Sequence, residues 1–368
     1  MKKYISLFLA LLMLTALFAG CQKKDAEAAP TATDAPQAEV KATEAPKAEA
    51  TAEPKAEPTA EPTAEPTAEP TPEPVIMRLG SLKGPTTMGM VKLLSDSEAG
   101  LTRNTYESTV AAAADELTPK LLKGELDMLA LPVNAGSVLY NKSNGGVTML
   151  AVNTLGVLYI LEKGGETVKS VADLKGKTIY ATGKGNTPEY SLAYLLSKNG
   201  LDIATDVTME WKSEPTEVVA QLSAVDSGIA LLPQPFVTIA KTKVEGLRVA
   251  LDMTREWEAV GSTLITGGLI VRTAFLNEHP EAVQIFLEEY AASTQYVNEH
   301  PAEAAALVEQ YIGVKAAVAE KAIPACNIVC LTGEEMKQAA QGYLQVLFEL
   351  NPKAVGGALP ADGFYYMP

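Results

Sequence analysis

The sequence contains few of the residues and motifs that usually carry catalysis. Its 368 residues include two histidines, His279 and His300, and each directly precedes a proline where a helix is predicted to begin. That position favours a role in starting the helix. No Gly-x-Ser-x-Gly, His-Glu-x-x-His or P-loop motif is present, and the carboxylates fall on predicted helix surfaces, where solvation explains them. The sequence therefore predicts that the protein is not an enzyme and has no cofactor.

Cysteine is nearly as scarce, with three in the chain. Cys326 and Cys330 are four residues apart, which in a regular helix places the two Cα atoms about 6 Å apart, within reach of a disulfide. A disulfide is permitted outside the membrane. Two interpretations remain open, a disulfide or two buried thiols. No metal site is expected, because the sequence does not supply further ligands.

Positive charge is in the minority. The chain has 30 lysines and arginines against 45 aspartates and glutamates, which gives a net charge of −15. Removing +2 for residues 1–21 and −7 for residues 22–74 leaves −10 on residues 75–368. This balance argues against nucleic acid and against an anionic membrane surface as partners.

The apolar run over residues 5–18 is too short for a typical membrane-spanning helix. Lys2 and Lys3 precede it and small residues follow it, a pattern typical of an export signal. Phe18-Ala19-Gly20-Cys21 resembles a bacterial lipobox, although leucine is usual where Phe18 stands. The resemblance implies that residues 1–21 are a lipoprotein signal peptide and that Cys21 carries a lipid such as palmitate. The alternative is a plain secretory signal followed by a free cysteine.

Residues 22–74 contain almost no large apolar side chains and end in a Thr-Ala-Glu-Pro repeat over residues 59–70. Such a composition cannot bury a core, so the segment is predicted to be a disordered linker. Its 53 residues reach roughly 160 Å at most in a polyproline II conformation. A tether of this length suits a Gram-positive-type cell with a single membrane and a thick wall.

Residues 75–368 form a segment longer than a single hydrophobic core usually accommodates. They are predicted to form two lobes in which strands alternate with helices. The predicted strands of the first lobe are 75–80, 103–109, 128–132 and 147–153, and its helices are 85–96, 113–124 and 134–142. In the second lobe the strands are 177–182, 207–211, 229–232 and 247–251, and the helices are 187–198, 215–225 and 236–241. Four more helices, 280–298, 301–311, 314–321 and 334–349, are expected to pack back on the first lobe.

The first part of each lobe follows one pattern at a spacing of 101 residues. Gly84 corresponds to Gly185, and Thr86 corresponds to Thr187, in Gly-rich turns that follow a strand and open a helix. A helix N-terminus carries unpaired N–H groups and about half a positive charge. Two such turns across a cleft are therefore predicted to hold a small polar or anionic ligand. The alternative is that both are ordinary connections between strand and helix.

The order and spacing of several motifs resemble those of a known family. These are Gly84 to Thr87, Asp173-Leu174-Lys175-Gly176-Lys177 before a strand, Gly183 to Thr187, and Phe275 to Pro280 before a helix. With the lipobox and tether, residues 75–350 resemble a solute-binding lipoprotein of an ABC importer. The family is typified by nitrate, sulfonate (taurine-receptor-like) and bicarbonate receptors and includes the related thiamine-precursor-binding proteins.

The resemblance implies an α/β, two-lobed type II periplasmic-binding-protein fold, in which each lobe is a mostly parallel sheet flanked by helices. Lobe 1 is predicted to comprise residues 75–156 and 276–368, and lobe 2 residues 157–275. The apolar runs 156–162 and 264–271 are predicted to be neighbouring crossover strands. Gly156 and the pair Gly267 and Gly268 are then the expected hinges, because a few residues there must absorb the change in backbone angles when the lobes close.

Ligands of open α/β sheets bind beyond the carboxyl ends of the strands, and those ends carry backbone N–H groups and short polar side chains. The candidate ligand-binding residues are Gly84, Pro85, Thr86, Thr87, Asn134, Asn153, Gly185, Asn186, Thr187 and Gln234. For Asn134 and Asn153, helix capping and turn formation remain the alternative.

The resemblance further implies a monomeric extracytoplasmic receptor, lipid-anchored to the outer face of the cytoplasmic membrane. It would deliver a small organic solute to an ABC permease and its ATPase. The helix N-termini favour an organic acid or a sulfonate-like solute. No arginine lies in the strand-end loops, where Lys83 and Lys184 are the available cations. The alternatives are a receptor for a neutral heterocycle, such as a thiamine pyrimidine precursor, and a sensor lipoprotein without a role in transport.

Overall fold

The computed structural model describes residues 74–368. The predicted signal peptide 1–21, with the lipidation site Cys21, lies outside the described residues. The predicted linker 22–74 lies outside them too, apart from Pro74. None of the helices in residues 74–368 is long and apolar enough to cross a membrane.

The described chain alternates strands and helices as far as residue 265 and is mainly helical after that. Its strands are β1 (Ile76–Leu82), β2 (Thr105–Ala111), β3 (Met128–Pro132), β4 (Val147–Leu155), β5 (Leu158–Lys163), β6 (Thr178–Ala181), β7 (Thr208–Trp211), β8 (Gly228–Pro233), β9 (Leu247–Asp252), β10 (Ile265–Arg272) and β11 (Ile328–Leu331). Its α-helices are α1 (Pro85–Met88), α2 (Val91–Glu98), α3 (Ala114–Leu122), α4 (Val133–Lys142), α5 (Thr187–Lys198), α6 (Pro215–Ala224), α7 (Phe236–Lys243), α8 (Met253–Ala259), α9 (Thr273–Glu278), α10 (Pro280–Glu299), α11 (Pro301–Ile312), α12 (Ala316–Ala322) and α13 (Gly333–Leu350). A 3₁₀ helix, Pro352–Val355, follows α13.

The strands form two sheets flanked by helices, which confirms the predicted fold class. The first sheet has the order β11-β4-β10-β3-β1-β2, and the second has the order β7-β6-β8-β5-β9. In the first sheet β1 is parallel to β2 and β3, and in the second sheet β6 is parallel to β7 and β8. The other pairings are antiparallel. Both sheets are therefore mixed, where the sequence pattern indicated mostly parallel strands.

The repeat predicted from sequence is visible in the topology. Strands β3-β1-β2 and β8-β6-β7 have the same order, and each unit is bordered by an antiparallel strand, β10 in the first sheet and β5 in the second. The strand-end turns at Gly84 and Gly185 therefore occupy equivalent places in two similar units.

The return of the chain to the first sheet differs from the prediction. It leaves the first sheet through Gly156 and Val157, and it returns through α8 and residues 260–264. Strand β10 pairs with β3 and β4 in the first sheet. Strand β10, which the prediction assigned to the second lobe, therefore belongs to the first sheet, and β5 pairs with β8 and β9 instead. An apolar strand that is buried on both faces looks the same in sequence whichever sheet contains it.

This correction separates the two predicted hinges. Gly156 does lie at a crossing between the sheets, whereas Gly267 and Gly268 lie within β10. The sequence pattern also missed α8 and β11, which are short. It predicted one helix over 85–96 where the chain forms α1 and α2.

The two sheets share a hydrophobic core. One buried cluster contains Leu131 of the first sheet, Ile160 of the second sheet and Tyr343 of α13. The rings of Trp257 in α8 and Tyr343 have centroids 5.8 Å apart, and those of Trp257 and Tyr194 in α5 are 4.4 Å apart. Helix α13 therefore packs against the first sheet and against α5 and α8 beside the second sheet, and so connects the two units.

Each sheet also contains one buried carboxylate that is held by arginine. Asp127 accepts hydrogen bonds from the Arg78 backbone N–H at 3.0 Å, from Arg78 Nη2 at 2.7 Å and from Arg272 Nη2 at 2.8 Å. Glu162 pairs with Arg248 and accepts from the Thr167 backbone N–H at 2.9 Å. The first contact joins β1, β3 and β10, and the second joins β5 and β9.

The two described cysteines are free, so the predicted disulfide between Cys326 and Cys330 is not formed. The two cysteines do not lie in a regular helix: Cys326 follows the 3₁₀ helix Ile323–Ala325, and Cys330 lies in β11. An extended strand advances about 3.3 Å per residue, which carries the second thiol away from the first. Burial raises the pKa of both thiols, that of Cys330 to about 11, so both stay protonated. The alternative of two buried thiols therefore fits the structure.

Candidate functional site

The first sheet has a close contact at the end of β4. Asn153 is buried, and its side-chain amide donates to the Thr86 carbonyl at 2.9 Å. Its Oδ1 accepts from Thr154 Oγ1 at 3.1 Å. A Cβ added to Gly267 would lie 2.4 Å from Asn153 Oδ1 and 2.6 Å from Thr86 Cγ2. Because both ends of the Asn153 amide are used within the protein, its contacts fit a role in holding the turn.

The turn after β1 is similarly committed to internal contacts. Gly84, with φ 137°, precedes the four-residue helix α1. The hydroxyl groups of Thr86 and Thr87 both donate to the Leu82 carbonyl. A helix of four residues has a much smaller dipole than the longer helix predicted over 85–96. This turn, with Pro85 at the first position of α1, is therefore held by internal hydrogen bonds, and its short helix attracts an anion only weakly.

Asn134, near the start of α4, differs from Asn153 because part of its amide is free. Its Nδ2 donates to the Ala354 carbonyl at 3.3 Å, but its Oδ1 has no hydrogen-bond partner in residues 74–368. The residue is 9% exposed. A buried acceptor without a partner is costly, so a bound molecule that donates a hydrogen bond would be favoured at this position.

The turn after β6 faces solvent. Gly185 and Asn186 are exposed, and the Gly185 backbone N–H donates to Glu189 in the first turn of α5. Thr187 Oγ1 accepts from Tyr343 Oη at 3.5 Å, and burial raises the pKa of Tyr343 to about 12, which keeps this donor protonated. An anion at the start of α5 would have to compete with the carboxylate of Glu189.

Gln234 lies at the end of the second sheet, and its contacts are internal. Its Oε1 accepts from the Thr238 hydroxyl at 2.9 Å, and its backbone N–H donates to the Val157 carbonyl at 2.9 Å. It is 5% exposed. Gln234 thus connects the start of α7 to the crossing between the sheets.

Two cavities lie between elements of the first and the second sheet. The α4–α5 cavity, of about 590 Å³, is lined by Asp115, Thr118, Pro119, Asn134, Ala135, Val138, Leu139, Lys142, Gly185, Asn186, Tyr190, Lys353 and Ala354. The α7–α12 cavity, of about 520 Å³, is lined by Lys83, Gly84, Pro235, Phe236, Ile239, Thr242, Lys243, Ile312, Gly313, Val314, Lys315 and Val318. Both volumes are within the range of small-molecule sites.

The structure thus brings together Asn134, Gly185 and Asn186 in the α4–α5 cavity and places Gly84 in the other. The remaining predicted residues, Pro85, Thr86, Thr87, Asn153, Thr187 and Gln234, line neither of these two cavities. Sequence reasoning missed Lys142 and Lys353, because nothing local distinguishes a lysine on a cavity wall from one in solvent. Tyr190 also lines the α4–α5 cavity. Its hydroxyl accepts from Asn351 Nδ2 at 3.0 Å.

A larger cavity, of about 740 Å³, lies at the amino ends of β1 and β2. Val75, Asn104 and His279 are among its lining residues. Ligands of α/β sheets bind at the carboxyl ends of the strands. The α4–α5 cavity, which contains three of the predicted residues and is open to both sheets, is therefore the better candidate.

The chain is similar to known proteins in both sequence and fold. Residues 146–304 match the family described as NMT1/THI5 like. No curated protein sequence matches the chain. A solved ABC transporter structure from Parabacteroides distasonis is 25% identical, with a TM-score of 0.68, and the match covers 79% of this chain and 99% of that one.

Two further structures show the same fold at lower identity. The periplasmic aliphatic sulphonate binding protein from Escherichia coli is 19% identical, with a TM-score of 0.65, and the match covers 80% of this chain and 93% of that one. The periplasmic nitrate-binding protein from Synechocystis is 13% identical, with a TM-score of 0.56, and the match covers 76% and 82%. The fold is therefore that of periplasmic solute-binding proteins. The resemblance to ABC transporter binding proteins inferred from the sequence is confirmed.

Proposed function

We propose that the protein is an extracytoplasmic receptor that binds a small organic solute between its two sheets and delivers it to an ABC permease and its ATPase. One observation carries the proposal. The α4–α5 cavity is lined by Asn134 from the first sheet's elements and by Gly185 and Asn186 from the second's. A solute bound there would contact both, so its binding free energy would favour the closed arrangement of the lobes.

The cavity favours an organic acid or a sulfonate-like solute. Lys142 and Lys353 supply two cations to its wall, against one carboxylate, Asp115. The unpaired Oδ1 of Asn134 and the exposed amide of Asn186 can bond a polar substituent. The positive charge thus comes from lysine side chains rather than from the helix N-termini that the sequence pattern indicated.

A neutral heterocycle is the second candidate solute, because Tyr190 also lines the α4–α5 cavity. Its ring is held in place by the hydrogen bond from Asn351 and could stack on a flat ligand. A ring that carries an N–H group could donate to Asn134 Oδ1.

A thermal-shift screen separates the two solute classes. Sulfonates and organic acids are expected to raise the melting temperature, and this effect should shrink with added salt because the lysines are exposed. Stabilisation by neutral heterocycles alone, without salt dependence, would show that the anion assignment is wrong. Lys142→Gln with Lys353→Gln should weaken anion binding, and Lys169→Gln, at an exposed site outside both cavities, is the matched control.

Delivery to a transporter is tested separately from binding. With the permease and ATPase encoded beside this chain in proteoliposomes, the loaded receptor should stimulate ATP hydrolysis and uptake. A gene neighbourhood with a sensor kinase and without a permease, together with no stimulation, would instead support a sensor lipoprotein.

The proposed location is based on the sequence of residues 1–74. A lipid on Cys21 would anchor the protein to the outer face of the cytoplasmic membrane of a Gram-positive-type cell. Residues 22–74 would form a disordered tether, and the receptor would be a monomer. Metabolic labelling with a palmitate analogue should mark the wild-type protein and not Cys21→Ser. Equal labelling of both proteins would contradict the anchor.

Closure predicts a change in shape. If the lobes move about Gly156, solution scattering should show a smaller radius of gyration at saturating solute. An unchanged radius with solute bound would show that binding does not need closure. The two lobes are expected to stay in contact near α13 during this motion, because separating the buried rings of Trp257 and Tyr343 would expose apolar surface.

A further inference from the structure

We infer that the α7–α12 cavity is a second ligand site, separate from the proposed solute site, and that it takes an organic anion with an apolar tail. Its walls come from three parts of the chain. They are the turn after β1, helix α7 of the second sheet, and the connection between α11 and α12. The charge, the apolar lining and the placement between the sheets each support this assignment.

The charge of the cavity is opposite to that of the protein. Lys83, Lys243 and Lys315 line it, and no aspartate or glutamate does, in a chain whose net charge is −15. None of these three lysines forms a salt bridge within residues 74–368. The three cations thus remain available to a bound anion.

Helix stability does not explain the position of Lys315. It is the N-cap residue of α12, where the helix dipole disfavours a cation. The nearby carboxylate of Glu309 accepts from the Ala316 backbone N–H at 2.9 Å and so already caps this helix. Lys243, in the last turn of α7, is at a position that a helix does favour. Lys315 is therefore the stronger indication of a ligand.

The rest of the lining is largely apolar and leaves room for a tail. Phe236 and Ile239 of α7 face the cavity from one side, and Ile312, Val314 and Val318 line the other. A Cβ added to Gly313 would meet no atom within 4 Å, so the space beside it is open. Apolar walls next to unpaired lysines fit an amphiphilic anion better than a small inorganic one.

Placement between the sheets gives such a ligand a mechanical consequence. Helix α7 belongs to the second sheet, whereas Lys83 follows β1 of the first. An anion that bridges Lys243 to Lys83 or Lys315 would connect the two lobes, and would stabilise their closed arrangement whether or not the α4–α5 cavity is filled.

Calorimetric titration of the full-length protein with hexanesulfonate tests the inference. Binding should be about tenfold weaker in the double variant Lys243→Gln and Lys315→Gln, because two charged contacts are lost. Methanesulfonate should bind at least about tenfold more weakly than hexanesulfonate, since it lacks the buried methylenes. Hexylammonium, with the same tail and the opposite charge, should not bind.

Because sulfonates are also proposed to bind the α4–α5 cavity, the titration is repeated in the Lys142→Gln with Lys353→Gln background, where hexanesulfonate should still bind the α7–α12 cavity. The matched control is Lys241→Gln with Lys321→Gln, two exposed lysines of α7 and α12 outside the cavity lining, which should leave this binding unchanged. Hydrogen exchange should slow in α7 and in the α11–α12 connection when hexanesulfonate binds. If the wild-type protein binds hexanesulfonate and the Lys142→Gln with Lys353→Gln variant does not, the anion lies in the α4–α5 cavity and the inference is overturned. No binding by either protein would also overturn it. Neither result affects the proposed function, which is tested separately by the thermal-shift screen and by stimulation of ATP hydrolysis.

Discussion

The two parallel units, β1 to β3 and β6 to β8, have the same strand order, yet the turns that end their first strands differ. After β1, the hydroxyl groups of Thr86 and Thr87 turn back to the Leu82 carbonyl, and Asn153 holds the backbone of Thr86. After β6, the turn at Gly185 is exposed, whereas Gly84 in the equivalent turn is buried. The same backbone path thus gives a buried turn in the first unit and an exposed turn in the second.

The difference comes from what lies outside each unit. The first sheet continues into β10, β4 and β11 and is covered by α10, which contacts α2. Ser293 of α10 donates to the Gly89 carbonyl at 2.7 Å and accepts from the Leu93 N–H at 3.0 Å. A repeat therefore specifies the path of the backbone, and the neighbouring elements decide which turn can move or bind.

The two buried carboxylates extend this comparison to stability. Burial alone would raise the pKa of Asp127, but hydrogen bonds from Arg78 and Arg272 outweigh it, so the pKa is lowered. Burial likewise opposes ionisation of Glu162, but hydrogen bonds from Thr167, Val168 and Arg248 lower its pKa to about 2. Asp127 has two arginine partners and Glu162 has one.

The largest effect is expected for Asp127→Asn. The change leaves Arg78 and Arg272 without their carboxylate, and we expect it to lower the free energy of unfolding by about 3 to 5 kcal/mol in urea titrations. Asp173→Asn is the control, because Asp173 caps the 3₁₀ helix Val171–Leu174 at a half-exposed position, and its loss of unfolding free energy should be clearly smaller. Equal losses in the two variants would contradict the importance of burial.

The second effect depends on pH. Because the pKa of Glu162 falls from 4.5 to about 2 on folding, its stabilisation is complete above about pH 4.5 and is lost as the pH falls towards 2. The loss is on the order of 3 kcal/mol for the wild-type protein. Glu162→Gln should be less stable at neutral pH and should show a flatter pH dependence of unfolding over this interval. Parallel curves for the two proteins would show that Glu162 does not titrate in this way.

A smaller effect compares the surroundings of the two turns, because Gly267 of β10 packs against Thr86 of the first turn and Gly185 lies in the second turn. Gly267→Ala would place a Cβ 2.4 Å from Asn153 Oδ1, and the required shift should cost about 2 kcal/mol. Gly185→Ala adds a Cβ in open space, so only the positive φ of 75° opposes it, at about 1 kcal/mol. If Gly185→Ala lowered the melting temperature more than Gly267→Ala, the first turn would not be the more tightly packed of the two.

The smallest effect concerns the thiols. Because Cys326 and Cys330 are free and protonated, adding a reductant should leave the melting temperature unchanged. Cys330→Ser should behave in the same way with and without reductant. A melting temperature that falls on reduction in the wild-type protein, and not in Cys330→Ser, would show that a disulfide forms after all.

Local sequence determined much of the fold. The 3.6-residue and two-residue periods of apolar residues located most strands and helices, because these periods follow from backbone geometry alone. The repeat of Gly84 at Gly185 likewise predicted the two equivalent turns. His279 and His300 lie at the N-cap positions of α10 and α11, as the sequence predicted, but neither side chain forms a capping hydrogen bond.

Tertiary structure alone decided which sheet each ambiguous segment joins and which polar groups remain free. Residues 265–272 could pair in either sheet by their composition, and long-range hydrogen bonds to β3 and β4 placed them in the first. Asn134 and Asn153 are alike in sequence terms, yet only Asn134 keeps a free acceptor. Lys142, Lys243 and Lys315 became cavity walls through packing between distant helices, because a lysine's surroundings depend on chain segments far from it in the sequence.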